Sequence, residues 1–157
     1  MLAHSGQASS RRAGQRLILP HVGPLTERID HIVLTVDDIE ATLAFYERAL
    51  KLKRDPFLGP DGQTRYALTF GSQKINLQDR STDTPTKARA PTFGSGDFCL
   101  IAAVPLDDVI AHLRAERIAI EAGPVPRRGA LGALRSIYFR DPDGNLLELL
   151  STDGGAS

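Results

Sequence analysis

From residue 31 onward the chain alternates short apolar runs with one-sided helical stripes. Residues 31–36, HIVLTV, are rich in β-branched side chains and predict a strand. Ile39, Leu43, Tyr46 and Leu50 then recur on one face at helical spacing, predicting a helix that ends near Leu50. Asp37 is placed to cap that helix, with Glu40 three residues later as its capping-box partner. Three short strands are expected near 52–57, 65–70 and 73–78, punctuated by Gly59, Gly62 and Gly71. The order then returns. Residues 97–104, DFCLIAAV, predict a strand, and Pro105, Asp107 and Asp108 open a second helix. Its buried stripe is Leu106, Val109, Ile110 and Leu113, and strands near 118–125, 135–140 and 145–150 follow. Asp141-Pro142-Asp143-Gly144 has the residue types of a type I turn and joins SIYFR to NLLELL as a hairpin. Gly129–Gly132 has no helix after it and reads as a flexible loop able to cover a site.

The expected fold class is α+β: two pseudo-symmetric βαβββ modules, about 29–80 and 96–151, forming a curved-sheet cup with helices on the outside. The repeat is one of pattern, with little residue identity between the halves. Residues 1–27 carry Arg11, Arg12 and Arg16, no acid before Glu27 and no sustained period. They read as a flexible N-terminal tail, 28–152 as the domain and 153–157 as a C-terminal tail.

Side chains alternate faces along a strand. Ile32, Leu34 and Val36 therefore point to the helices, and His31, Val33 and Thr35 point away. The same parity sets Glu148 opposite Leu147 and Leu149, Asn76 opposite Ile75 and Leu77, and Asp97 and Cys99 opposite Phe98 and Leu100. His31 and Asp97 each open a module, whereas Asn76 and Glu148 each lie in its final strand. Pseudo-symmetry would bring all four to the concave side of one curved sheet. Ser136 and Tyr138 share a face of the seventh strand, Arg127 lies in the loop before it, and Arg65 and Lys74 sit on middle strands of the first module. Facing inward, these would suit a carboxylate or phosphate.

Composition narrows the picture only slightly. The 157 residues suit one domain, and the formal net charge of zero gives no sign of a nucleic-acid or membrane partner. No apolar run is long enough to span a bilayer. The single cysteine, Cys99, excludes an intramolecular disulfide and fits a reducing, cytoplasmic setting. It reads as a small core residue.

DHIVLTVDDIEATLAFYERAL resembles the first module of the vicinal oxygen chelate superfamily, which includes glyoxalase I, bleomycin-resistance proteins and extradiol dioxygenases. YFRDPDGNLLEL resembles that superfamily's last hairpin, which ends in a metal-binding Glu. GPVPRRGALGALRSIYFRDPDGNLLEL is more similar still to its virulence-associated and glyoxalase-domain-containing small proteins. The resemblance implies a divalent ion held by His31, Asp97 and Glu148, with Asn76 at the fourth position. This oxygen-rich set favours Mn, Fe or Mg and leaves Ni or Zn open. The resemblance also implies a homodimer, with His31 from one subunit and Asp97 and Glu148 from the other. Ser136 and Tyr138 are similar to hydroxyls with which fosfomycin-resistance members hold a phosphonate. Two positions depart from the pattern. Glyoxalase I carries Glu where this chain has Asn76, and an amide cannot accept a proton at neutral pH, which leaves Glu148 as the base. Many members carry His where this chain has Asp97, which breaks the ligand set of a ring-cleaving dioxygenase. The expected function is a divalent-metal-dependent, glyoxalase-like lyase or isomerase acting on a small oxygen-rich anion. Alternatives are a metal-free sequestration protein, an extradiol-type dioxygenase, or a fosfomycin-type thiol transferase.

Overall fold

Strand β1 (His31–Thr35) leads into helix α1 (Ile39–Leu50), whose one-sided stripe buries Thr42, Leu43, Tyr46 and Ala49. The helix starts one residue later than the capping-box pattern suggests. Asp38 is the N-cap, its carboxylate accepting the Ala41 N–H at 3.0 Å. Asp37 instead turns its own N–H to Asp143 Oδ1 at 2.9 Å, and Glu40 pairs with Arg54 at 2.8 Å. The pattern misplaced the cap because two acids in succession compete for it and a partner 106 residues away takes the first. Strands β2 (Lys53–Leu58), β3 (Thr64–Phe70) and β4 (Gln73–Gln78) complete the first module. The second consists of β5 (Asp97–Ile101), α2 (Leu106–Ala115), β6 (Ile120–Gly129), β7 (Gly132–Arg140) and β8 (Leu146–Ser151). This computed structural model describes residues 23–82, 84–130 and 132–151; most of both expected tails lies outside them.

The result is the expected α+β pair of βαβββ modules, each a four-stranded mixed sheet, with no closed barrel. The strand orders are β1-β4-β3-β2 and β5-β8-β7-β6. In both, the first strand runs parallel to the last: His31 lies opposite Lys74, and Asp97 opposite Leu146. Pattern repetition thus becomes topological repetition.

One apolar core serves both modules. Leu43, Tyr46, Leu68 and Ile75 of the first join Leu113, Ile137, Phe139 and Leu147 of the second, all essentially without solvent exposure. Phe45 of α1 reaches Phe139 of β7 at a ring separation of 6.5 Å. The Asp141–Gly144 turn fastens the halves. Its i to i+3 bond, Gly144 N–H to Asp141 O, is 3.0 Å, as the turn residues predict. The buried Asp141 carboxylate accepts the Asp143 and Asn145 backbone N–H groups, the Asn145 side-chain amide and the Tyr46 hydroxyl. Asn145 Oδ1 then accepts the Gly96 N–H at 2.7 Å, just before β5. A buried carboxylate costs free energy unless donors surround it, and here four do.

The expected covering loop at Gly129–Gly132 is absent as a loop. β6 continues to Gly129, which pairs directly with Gly132 of β7. Leu131 lies outside the described residues. Glycines that suggested looseness instead permit a tight reversal, with φ +124° at Gly132.

Candidate functional site

Each sheet buries one face against the helices and leaves the other open, and the candidate residues fall on the open faces. On the first sheet, Leu34, Ile75, Leu77 and Leu68 are buried. His31, Val33, Lys74 and Asn76 point the other way by strand parity. His31 Nδ1 lies 2.8 Å from Asp30 Oδ1. This bond, more than the nearby Arg28 and Lys74 charges, holds the Asp30 carboxyl below the usual carboxylate range. A carboxylate on Nδ1 steadies the imidazole and leaves the Nε2 lone pair for a ligand. Asn76 sits opposite Val33, and its Oδ1 is buried with no hydrogen-bond partner among the described residues. Arg65 and Lys74 are on this sheet too, but both are engaged. Arg65 bonds Asp61 Oδ2 at 3.0 Å and Thr84 Oγ1 at 2.9 Å, and the Lys74 ammonium lies 4.9 Å from the Phe57 ring centroid.

On the second sheet a row runs across three strands: Cys99 opposite Glu148, and Glu148 opposite Tyr138. Ser136 is fully buried, and its hydroxyl donates to Glu148 Oε1 in a very short contact. The seryl hydroxyl therefore orients the carboxylate. Cys99 is not a core residue as the sequence suggested; it lies on this open face. Partial burial, reinforced by the charge and hydrogen bonding of Glu148, pushes its thiol up to about 12. The sequence reading missed this pairing, although the parallel β5–β8 register that produces it follows from the repeat.

Arg127 belongs to β6 and not to a loop, because β6 extends four residues past its expected end. Its Nε donates to the Tyr138 hydroxyl at 2.9 Å, and its guanidinium lies 5.4 Å from the Tyr138 ring centroid. Arg127 is exposed and Tyr138 half-buried, so the guanidinium is held against the ring with its charge open to solvent. Asp97 opens β5 and is exposed.

The structure does not bring His31, Asn76, Asp97 and Glu148 onto one sheet. Two sit on each. Among the described residues of one chain, no three His, Cys, Asp or Glu side chains are grouped so that they could hold a metal ion. The candidate residues thus fall into two separate pairs, each with a hydrogen-bonded neighbour: Asp30 beside His31, and Ser136 beside Glu148.

The model of the Glyoxalase/Bleomycin resistance protein/Dioxygenase superfamily matches residues 28–149. The chain belongs to that superfamily. Within it, the chain is 47% identical over 125 residues to Virulence protein STM3117 of Salmonella typhimurium, covering 80% of this chain and 84% of the relative. The crystal structure of that relative superposes with a TM-score of 0.76, covering 82% of this chain and 98% of the other at 46% identity. The Glyoxalase domain-containing protein RDO1 of Mycosarcoma maydis is 44% identical over 123 residues, covering 78% of this chain and 67% of the relative. A lactoylglutathione lyase structure from Agrobacterium tumefaciens aligns at 28% identity with a TM-score of 0.61, over 82% and 96% of the two chains. Superfamily members share this paired-module frame, and the frame alone does not set the chemistry. Among the described residues no helix is long and apolar enough to cross a membrane.

Proposed function

We propose that the protein is a divalent-metal-dependent, glyoxalase-like enzyme acting on a small oxygen-rich anion. Two copies would complete each site, the His31 half of one meeting the Glu148 half of its partner. The observation that carries this reading is the matched preparation of the half-sites. A carboxylate holds His31 by Nδ1, and a buried hydroxyl orients Glu148. Such outer partners are the usual support of metal-binding His and Glu. Val33 and Ile101, on the same open faces, are 51% and 72% exposed, so apolar surface lies where a second copy would cover it.

The described residues of one chain do not supply a full ligand set, but the two halves together fit one: an imidazole nitrogen, the Glu148 carboxylate, Asp97 and the unpartnered Asn76 oxygen. A bound ion would supply Lewis acidity toward two neighbouring substrate oxygens. The chain's own residues do the rest. Glu148 takes and returns a substrate proton, because Asn76 has no basic atom. The Ser136 hydrogen bond holds that carboxylate in place. Arg127, steadied by Tyr138, faces the substrate's negative charge. A cytoplasmic setting fits the single cysteine.

The test is metal content after purification without a metal-affinity tag, with thermal-shift titrations of Mn, Fe, Mg, Ni and Zn. The expected result is about one ion per chain, lost in His31→Ala and in Glu148→Ala with the fold intact. Both variants retaining wild-type metal would contradict the proposal. A metal-free ligand-binding role is the second reading, favoured by the incomplete set in one chain. Ligand binding indifferent to chelators would establish it instead.

A further inference from the structure

Between the modules, residues of 79–82 and 84–96 line, with the end of β1 and β4, an open-mouthed cavity of about 490 Å³. Its floor is Thr35 and Gln78, paired in the β1–β4 register. Gln78 Nε2 donates to Thr35 Oγ1 at 2.8 Å. That bond uses one amide hydrogen and an oxygen lone pair. It leaves the Thr35 hydroxyl hydrogen and the second amide hydrogen of Gln78 as donors.

Two cations line the walls, Arg80 and Lys87. The Arg80 guanidinium lies 4.3 Å from the Phe93 ring centroid, also in the wall, so its plane is set before any ligand arrives. Neither cation has an ion-pair partner among the described residues. The one acid in the lining, Asp79, is turned inward on its own loop. Its Oδ1 accepts the Ser81 N–H and hydroxyl and the Thr82 hydroxyl, and these bonds, Ser81's first, hold the carboxyl below the usual range. Two positive groups against one negative leave the lining net positive. An adjoining cavity of about 340 Å³ shares Thr35, Gln78 and Lys87 and continues to Val33 and Asp97, so a ligand held here has room to extend toward the open strands.

We propose that this inter-module pocket is an anion-binding site that takes the phosphate or carboxylate group of a small ligand between Arg80 and Lys87. Free donors, a guanidinium set against an aromatic ring and an unpaired ammonium suit an acceptor-only, negatively charged group.

The test is calorimetric titration of the full chain with inorganic phosphate and, separately, with succinate, at constant ionic strength, after EDTA treatment to strip divalent ions and exchange into EDTA-free buffer. Because EDTA removes divalent ions, failure of the metal reading would leave this result untouched. At least one anion should bind, and Lys87→Gln and Arg80→Gln should each weaken it by about tenfold or more. Preference for phosphate or for succinate identifies which group the pocket takes. Both side chains are exposed, so the variants should melt like the wild type. Two results would overturn the proposal: neither anion binding the wild type, or both variants binding as tightly as it does.

Discussion

At the scale of single residues, the most informative pair is Cys99 and Glu148. The thiol is reachable on an open face, yet burial and the neighbouring carboxylate push it from its ordinary 9.0 up to about 12. Only the thiolate is nucleophilic, so alkylation by iodoacetamide should stay slow through pH 9 and rise only above about pH 10. Glu148→Gln removes the charge and should move that rise to lower pH. A wild-type profile already half-maximal at pH 9 would contradict the arrangement. The sign of the stability effect is also fixed. The folded thiol binds its proton more tightly than the unfolded one, so its contribution is whole below pH 9 and is lost as pH rises toward 12. Tyr46 is the structural counterpart. Burial, then the Asp141 charge, pushes its phenol far up, and its hydroxyl donates to Asp141 Oδ2 at 3.1 Å. Tyr46→Phe should cost about 1–3 kcal/mol in urea unfolding, since a hydrogen bond to a buried charged acceptor is lost. No measurable change would mean that the Asp141 turn does not fasten the modules.

At the scale of elements, the sequence made the repeat legible and obscured its joints. Periodicity placed all eight strands and both helices, because nearly all of them pack one face on a shared core; β2, which adds no residue to that core, was marked by the turn glycines that follow it. It misjudged positions decided by partners distant in sequence. The cap moved from Asp37 to Asp38 because Asp143 claims the Asp37 N–H. The GALG stretch became a tight hairpin because β6 and β7 pair to their ends. That same pairing put Arg127 on a strand beside Tyr138. Much of the recognisable YFRDPDGNLLEL segment proves to be architecture: Asp141, Asp143 and Asn145 bind backbone and α1, whereas Tyr138 and Glu148 share the open side with Arg140 and Leu146. β6 also depends on an irregularity at 120–125, where the register shifts. Gly123 sits there at φ +104°, and an added Cβ would meet Ser136 O at 2.5 Å. Gly123→Ala should destabilise the protein by at least about 1–3 kcal/mol and disturb the Ser136–Glu148 contact behind it. An unchanged thermal midpoint would show that the bulge tolerates a side chain.

At the scale of the whole molecule, the sequence fell short in a different way. Strand parity correctly turned His31, Asn76, Asp97 and Glu148 away from the helices. It could not say that the two modules keep separate sheets, because packing between modules depends on three-dimensional contacts with no local signature. On the proposed reading, two copies, the His31 side of one meeting the Glu148 side of the other, would complete the site together. The direct measurement mixes His31→Ala and Glu148→Ala proteins after reversible unfolding and counts bound metal. Each mixed dimer would hold one undamaged pairing, His31 of one copy with Glu148 of the other. With random pairing the mixture should recover about a quarter of the wild-type metal, although neither variant binds any alone. A mixture as metal-free as its two components would contradict a site shared between copies.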